Sequence, residues 1–113
     1  MSDTIFSKII RHEIPADIVY EDDTCLAFRD VNPQAPVHIL IIPKEPIAKL
    51  SDAKMEHQSL LGYLLLKATE IARAQGVEQA FRLVVNNGAE AGQSVFHLHV
   101  HLLAGRSFGW PPG

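Results

Sequence analysis

Three of the chain's six histidines, His97, His99 and His101, stand at every second position of one short stretch, separated by Leu98 and Val100. Three chemistries use such a row: chelation of a metal, acid–base or nucleophilic work, or a polar face with no chemistry at all. In a strand, successive side chains point to opposite faces. The three imidazoles then share one face, and Leu98, Val100 and Leu102 share the other and pack inward. Neighbours on one face lie about 7 Å apart along a strand. Three rings in that space cannot all be protonated near neutrality, because like charges depress one another's pKa. The expectation is a mixed state, neutral and charged rings side by side, able to supply both a nucleophile and a proton donor. The metal reading uses the same geometry, since histidines at i and i+2 of a strand can both ligate zinc. Hard or redox metals usually add a carboxylate, and residues 91–113 contain no Asp or Glu.

Just upstream, Gly88 and Gly92 flank a loop that continues into Gln93 and Ser94. Glycines let backbone N–H groups converge on an anion, and Ser94 adds a hydroxyl that can donate to an oxyanion or a leaving group. A glycine-rich loop alone is commonly only a turn. Running into three in-face histidines, it places anion donors beside nucleophiles. The expected ligand is then a phosphate rather than a metal. The expected chemistry is in-line attack on phosphorus by a neutral imidazole, followed by attack of water on the phosphoryl-histidine.

The elements that must hold this row can be read from the rest of the chain. Ile5, Phe6, Ile9 and Ile10 recur at helical spacing behind Asp3 as a cap, and Pro15 bounds that short helix. "DIVYED" and "CLAFRD" read as a hairpin across Asp22 and Asp23. "VHILIIPK" reads as a buried strand, being short and β-branched. A long helix is expected from the cap Ser51 to Gly76. Its buried stripe is Leu60, Leu61, Leu64, Leu65, Ala68, Ile71 and Ala72, with Tyr63 and Leu66 outside it. "RLVVNN" and "VFHLHVHLL" supply the fourth and fifth strands, and Pro111 and Pro112 close the tail to further pairing. The expected class is α+β, a mainly antiparallel sheet of about five strands with one long and one or two short helices.

The chain has 113 residues, 47% hydrophobic and 20% charged, with a net charge of −3. That suits a single domain over 1–113 that buries roughly two-thirds of its unfolded surface. The charge gives no bulk attraction to nucleic acid or to an anionic membrane. Cys25, the lone cysteine, fits a reducing compartment. With no signal peptide and no long apolar span in view, a cytoplasmic protein is expected.

The stretch "HLHVHLL" (97–103) resembles the His-x-His-x-His-x-x signature, x apolar, of the histidine triad nucleotide-binding family. The likeness extends through "DTIFSKIIRHEIPA", "EDDTCLAFRDVNPQAPVHILIIPK", "VVNNGAEAGQSVFHLHVHLLAGR" and the terminal "WPPG". Together these look like the branch of purine nucleoside phosphoramidases, and the resemblance covers nearly the whole chain.

It implies the histidine triad fold, with no cofactor and no metal. It implies that His99 is the nucleophile, attacking the α-phosphorus of a purine nucleoside 5′-phosphoramidate to form a nucleotidyl-histidine. His97 and His101 would flank it, His101 on phosphate oxygens, and the His97 carbonyl would orient the His99 ring. His38 would complete the site from the neighbouring strand, although a lone buried histidine is more commonly a satisfied core residue. Asp30 would hold the ribose hydroxyls, or merely cap the turn before Asn32 and Pro33. Phe6, Ile9, Phe28 and Val31 would form the base slot. Asn86, Gly92, Gln93, Ser94 and Val95 would line the phosphate and leaving-group side, with Ser94 assisting departure of the amine. The resemblance also implies a two-fold homodimer in which Trp110 reaches the partner's leaving-group pocket, with Tyr63 and Leu66 in the contact. Gly109 stands before that tryptophan, where a larger residue would be unsurprising. His12 and His57 match no site position and read as surface residues, and Lys44 and Lys49 as solvated. A sister branch hydrolyses dinucleoside polyphosphates, and a nucleotide-binding regulator with incidental turnover would carry the same residues.

Overall fold

A computed structural model describes residues 3–113. A short helix α1 (Ile5–Ile10) comes first, then strands β1 (Ile18–Glu21), β2 (Cys25–Arg29) and β3 (Val37–Pro43). Helix α2 (Gln58–Ala74), β4 (Phe81–Val84) and β5 (Val100–Ala104) follow. The sheet order is β1-β2-β3-β5-β4 with every neighbouring pair antiparallel. The class is therefore α+β, as the order of elements predicted.

Each face of the sheet owns a core. On one face α2 lays Leu64, Ala68, Ile71 and Ala72 against Cys25, Ala27, Ile39, Ile41, Val100 and Leu102. On the other, α1 lays Phe6 and Ile9 against Leu26, Phe28, Leu40 and Ile42. Strand β3 is covered on both faces, which is why it reads as a run of isoleucines rather than an alternation. Leu40 is paired opposite His101, so the histidine side of β5 is the α1 side.

Several boundaries differ from the sequence reading. The cap of α1 is Thr4, not Asp3: the Thr4 side chain accepts from the Ser7 amide and Ser7 returns the bond. Asp3 is instead turned to Arg11. The long helix starts at Gln58; Leu50–Asp52 and Met55–His57 are separate 3₁₀ turns, so Ser51 caps nothing long. His57 is no idle surface residue. Its Nδ1 accepts from the Lys54 amide, while its Nε2 meets Glu45 at 2.8 Å. Within α2, Leu65 is 49% exposed and Lys67 is buried in its stead, its ammonium 4.4 Å over the Tyr20 ring. Tyr63 turns inward and donates to Asp22, as Tyr20 does. Asn86 and Asn87 lie beyond β4. Among the described residues no helix is long and apolar enough to cross a membrane.

Candidate active site

The fifth strand is shorter than its alternation suggests. β5 begins at Val100, so only His101 is paired in the sheet, and His97 and His99 approach it in irregular backbone. The alternation of faces survives nonetheless. Leu98 joins the core under α2, while the His97 and His99 rings stand edge-on to Phe6, with centroids 6.3 and 5.0 Å away. The His99 and His101 rings are 5.0 Å apart, and His101 lies 5.2 Å from His38 on β3.

A cavity of about 690 Å³ opens beside these rings. Its walls include His99, His101, Ser94 and Val95, then Asp30, then an apolar set of Phe6, Ile9, Phe28, Val31 and Leu40. Phe6 meets Phe28 edge-on at 5.4 Å, closing the slot against the sheet. Val31 is fully exposed and forms rim rather than core. Ile5, Ile14, Pro15 and Ala16 also line the cavity. The sequence did not mark them, because a wall built from a helix flank and a loop has no period of its own. Leu40 could have been found from register, being the partner of His101.

Not every expected residue reaches this cavity. His38 stands behind His101, and His97 borders a neighbouring pocket of about 260 Å³ with Ser7, Arg11 and Lys44. Gln93 is buried and its amide is spent on the loop itself. It accepts from the Gly88 amide and donates to the carbonyls of Ala48 and Val95, all at 2.8 to 3.0 Å. Gly92 takes a left-handed φ of 98°, and a Cβ there would lie 3.6 Å from Asn86 Nδ2, so Asn86 packs beside that turn. Of the two roles open to it in sequence, Asp30 shows the turn cap, and it also lines the cavity. Its Oδ1 accepts from the Asn32 amide, capping the turn, while Oδ2 is left 3.5 Å from His38 Nε2.

His38, His97 and His99 each have a nitrogen assigned by a backbone partner of known polarity, and His101 follows from His38. His99 Nδ1 is 2.8 Å from the His97 carbonyl, so Nδ1 carries the proton and Nε2 keeps a lone pair. His97 Nε2 donates likewise to the Pro43 carbonyl at 2.7 Å. At His38 the polarity is reversed. The Gln34 amide donates to its Nδ1 at 3.0 Å, so the proton sits on Nε2 and is donated to His101 Nδ1 at 2.9 Å. His101 must then carry its own proton on Nε2. Adjacent cavity-lining rings thus hold opposite tautomers: His99 presents a lone pair and His101 an N–H.

Burial is the main cause that pushes all four imidazoles below their ordinary pKa. For His101 the neighbouring rings add to it, and the value falls to about 4. The expected mixture of charged and neutral rings is therefore replaced by four neutral ones. Opposite polarity comes from tautomers and needs no cation.

Asp30, His38 and His101 offer ligand atoms all within 4.8 Å of one another, a candidate metal set. The hydrogen bonds argue against it. To ligate through Nε2, His38 would move its proton to Nδ1, directly facing the Gln34 N–H. It would also lose its bond to His101. Three such atoms do not complete a closed tetrahedral structural site either.

A family model described as HIT domain matches residues 11–108. An uncharacterized HIT-like protein of Synechocystis sp. is 69% identical over 111 residues, 98% of this chain and 97% of that one. A 14 kDa zinc-binding protein of Zea mays is 54% identical over 114 residues, 99% of this chain and 89% of that one. Among solved structures, a HIT family hydrolase from Legionella pneumophila matches with a TM-score of 0.96 at 47% identity, over 98% of this chain and all of the other.

Proposed function

The chain belongs to the HIT domain family, and on that premise we propose that it is a hydrolase of purine nucleoside 5′-phosphoramidates working through a nucleotidyl-histidine. The observation that carries this reading is the pair of opposed tautomers on the wall of a cavity large enough for a nucleotide. A neutral imidazole with a free lone pair is a nucleophile, and an N–H on the neighbouring ring of the same wall is a donor for phosphoryl oxygens.

In this reading the purine lies in the apolar slot, and Asp30 Oδ2 accepts from the ribose hydroxyls. His99 Nε2 forms a bond to the α-phosphorus as the P–N bond breaks. The departing amine takes a proton delivered from solvent through the Ser94 hydroxyl, which is exposed on the cavity wall. The His99 ring is then formally cationic, and its Nδ1–H bond to the His97 carbonyl strengthens accordingly. Water next attacks phosphorus, the P–Nε2 bond breaks with its electrons returning to the ring, and a proton is released with the nucleoside monophosphate. No metal or cofactor enters. The zinc in the maize relative's name has a counterpart, among the described residues, only in the Asp30, His38 and His101 set, whose hydrogen bonds oppose it. We place the working form as a homodimer of 1–113 in a reducing cytoplasm, with Trp110 of each copy at its partner's leaving-group side. Trp110 is 84% exposed within one chain.

The test is mass spectrometry of protein quenched during turnover of adenosine 5′-phosphoramidate. A nucleotidyl adduct on His99 is expected. His99→Ala should lower kcat by about 10³-fold or more while nucleoside monophosphate still binds. Full turnover by that variant removes the nucleophile assignment. A diadenosine polyphosphate turned over faster than the phosphoramidate would move the chain to the sister branch.

A further inference from the structure

The loop from Asp30 to Pro36 carries both the carboxylate beside the cavity and the amide that fixes His38. Val31, Asn32, Pro33 and Gln34 are all exposed, so beyond the buried Ala35 core packing does not hold this loop. The tail after β5 does. Gly105 has a φ of 95°, and a Cβ on it would stand 2.9 Å from Pro36 Cβ, so the two segments touch backbone to ring. Next in the chain, Arg106 Nε donates to the Gln34 carbonyl at 3.0 Å, and its Nη1 to the Ser107 carbonyl at 2.9 Å. The Phe108 ring lies against the Arg106 guanidinium at 4.3 Å and takes Arg82 at 5.1 Å. Arg82 in turn donates to the Gly109 carbonyl, which folds the tail into place. Arg106 is thus a braced strut with its donor aimed at one peptide.

We propose that Arg106 is a positioning residue: by anchoring Gln34 it sets the tautomer of His38 and, through His38, that of His101. The Gln34 carbonyl and amide flank one α-carbon, so pinning the first directs the second. With the amide on His38 Nδ1, the proton chain runs one way only, from His38 Nε2–H to His101 Nδ1. If the amide swings off, the chain can reverse. His38 takes its proton on Nδ1 and His101 donates from Nδ1. No proton enters or leaves, but His101 Nε2 then shows the cavity a lone pair instead of an N–H. The consequence for rate rests on the phosphoramidase reading above; the consequence for the tautomers does not.

Long-range ¹H–¹⁵N correlation of the histidine ring nitrogens in the ligand-free chain reads this directly. The parent should show Nε2–H at His38 and His101 and Nδ1–H at His99. In Arg106→Ala, His38 and His101 should average between tautomers while His97 and His99 stay unchanged. Gln34→Pro, which deletes the amide itself, should move the same two rings. With adenosine 5′-phosphoramidate, Arg106→Ala should lose about tenfold in kcat with KM within about twofold. A parent-like pattern at His38 and His101 in Arg106→Ala overturns the positioning role, whatever Gln34→Pro shows. Shifted tautomers with an unchanged kcat uphold that role and overturn the donor assignment of His101 in turnover.

Discussion

At the scale of single residues, His99 and His101 each spend one nitrogen on a fixed partner and leave the other free, while His38 spends both. The row of histidines was legible in the sequence; its electrical state was not. Spacing says how close three rings lie, while tautomers depend on a carbonyl at Pro43 and an amide at Gln34, far away in the chain. The neutral state has a consequence for stability. His101 has a pKa of about 4 in the folded chain against an ordinary 6.5. Between those values unfolding lets this ring bind a proton, so the His101 contribution to stability falls as pH drops from 6.5 and levels off below 4. His101 alone should contribute a loss of about 3 kcal/mol across that window. His38, His97 and His99 are shifted in the same direction and add to it. Urea melts from pH 7 to pH 4 should show the decline, and His101→Asn should flatten part of it. A stability that holds level down to pH 4 would contradict four buried neutral rings.

At the scale of elements, the sequence located every strand and both helices but misjudged their ends, for local reasons. Ser51 looks like a cap, but it falls within a 3₁₀ turn, and a second turn ending at His57 precedes the helix. The alternation through 95–103 reads as strand because its faces do alternate, although pairing begins only at Val100. The glycine loop shows best how residue type can mislead about role. Gln93 has the polarity of a phosphate contact, yet its amide closes the loop by three hydrogen bonds and leaves Ser94 and Val95 on the cavity. Gln93→Ala would leave the Gly88 amide and two carbonyls without their partner, at a cost of about 2 kcal/mol. Thermal melts should register that loss, and KM for a phosphoramidate should rise as the loop loosens. If the variant keeps parental stability and only its affinity changes, Gln93 acts on ligand directly.

At the scale of the whole molecule, the question is what the outer surfaces are for. The stripe expected on α2 placed Leu65 inside and Tyr63 outside, and the structure exchanges them. Lys67 reaches in over Tyr20, Tyr63 anchors to Asp22, and Leu65 and Leu66 are left at 49% and 69% exposed. A buried cation held by two tyrosine rings and Glu70 is not a pattern that periodicity can foresee. The exchange sharpens the dimer reading: the contact expected of Tyr63 and Leu66 falls to Leu65 and Leu66, adjacent leucines left exposed on α2. Burying the surface they still expose would contribute about 1–2 kcal/mol each. Size exclusion with light scattering at micromolar concentration should therefore give twice the 12.5 kDa chain mass. Leu66→Glu should shift that toward the monomer, because an unpaired carboxylate in a buried contact is costly. Trp110→Ala should leave the mass at the dimer value and change kcat/KM chiefly for phosphoramidates of bulky amines. A parent chain that runs as a monomer would remove the shared pocket, and with it the expectation that Trp110 selects among amines.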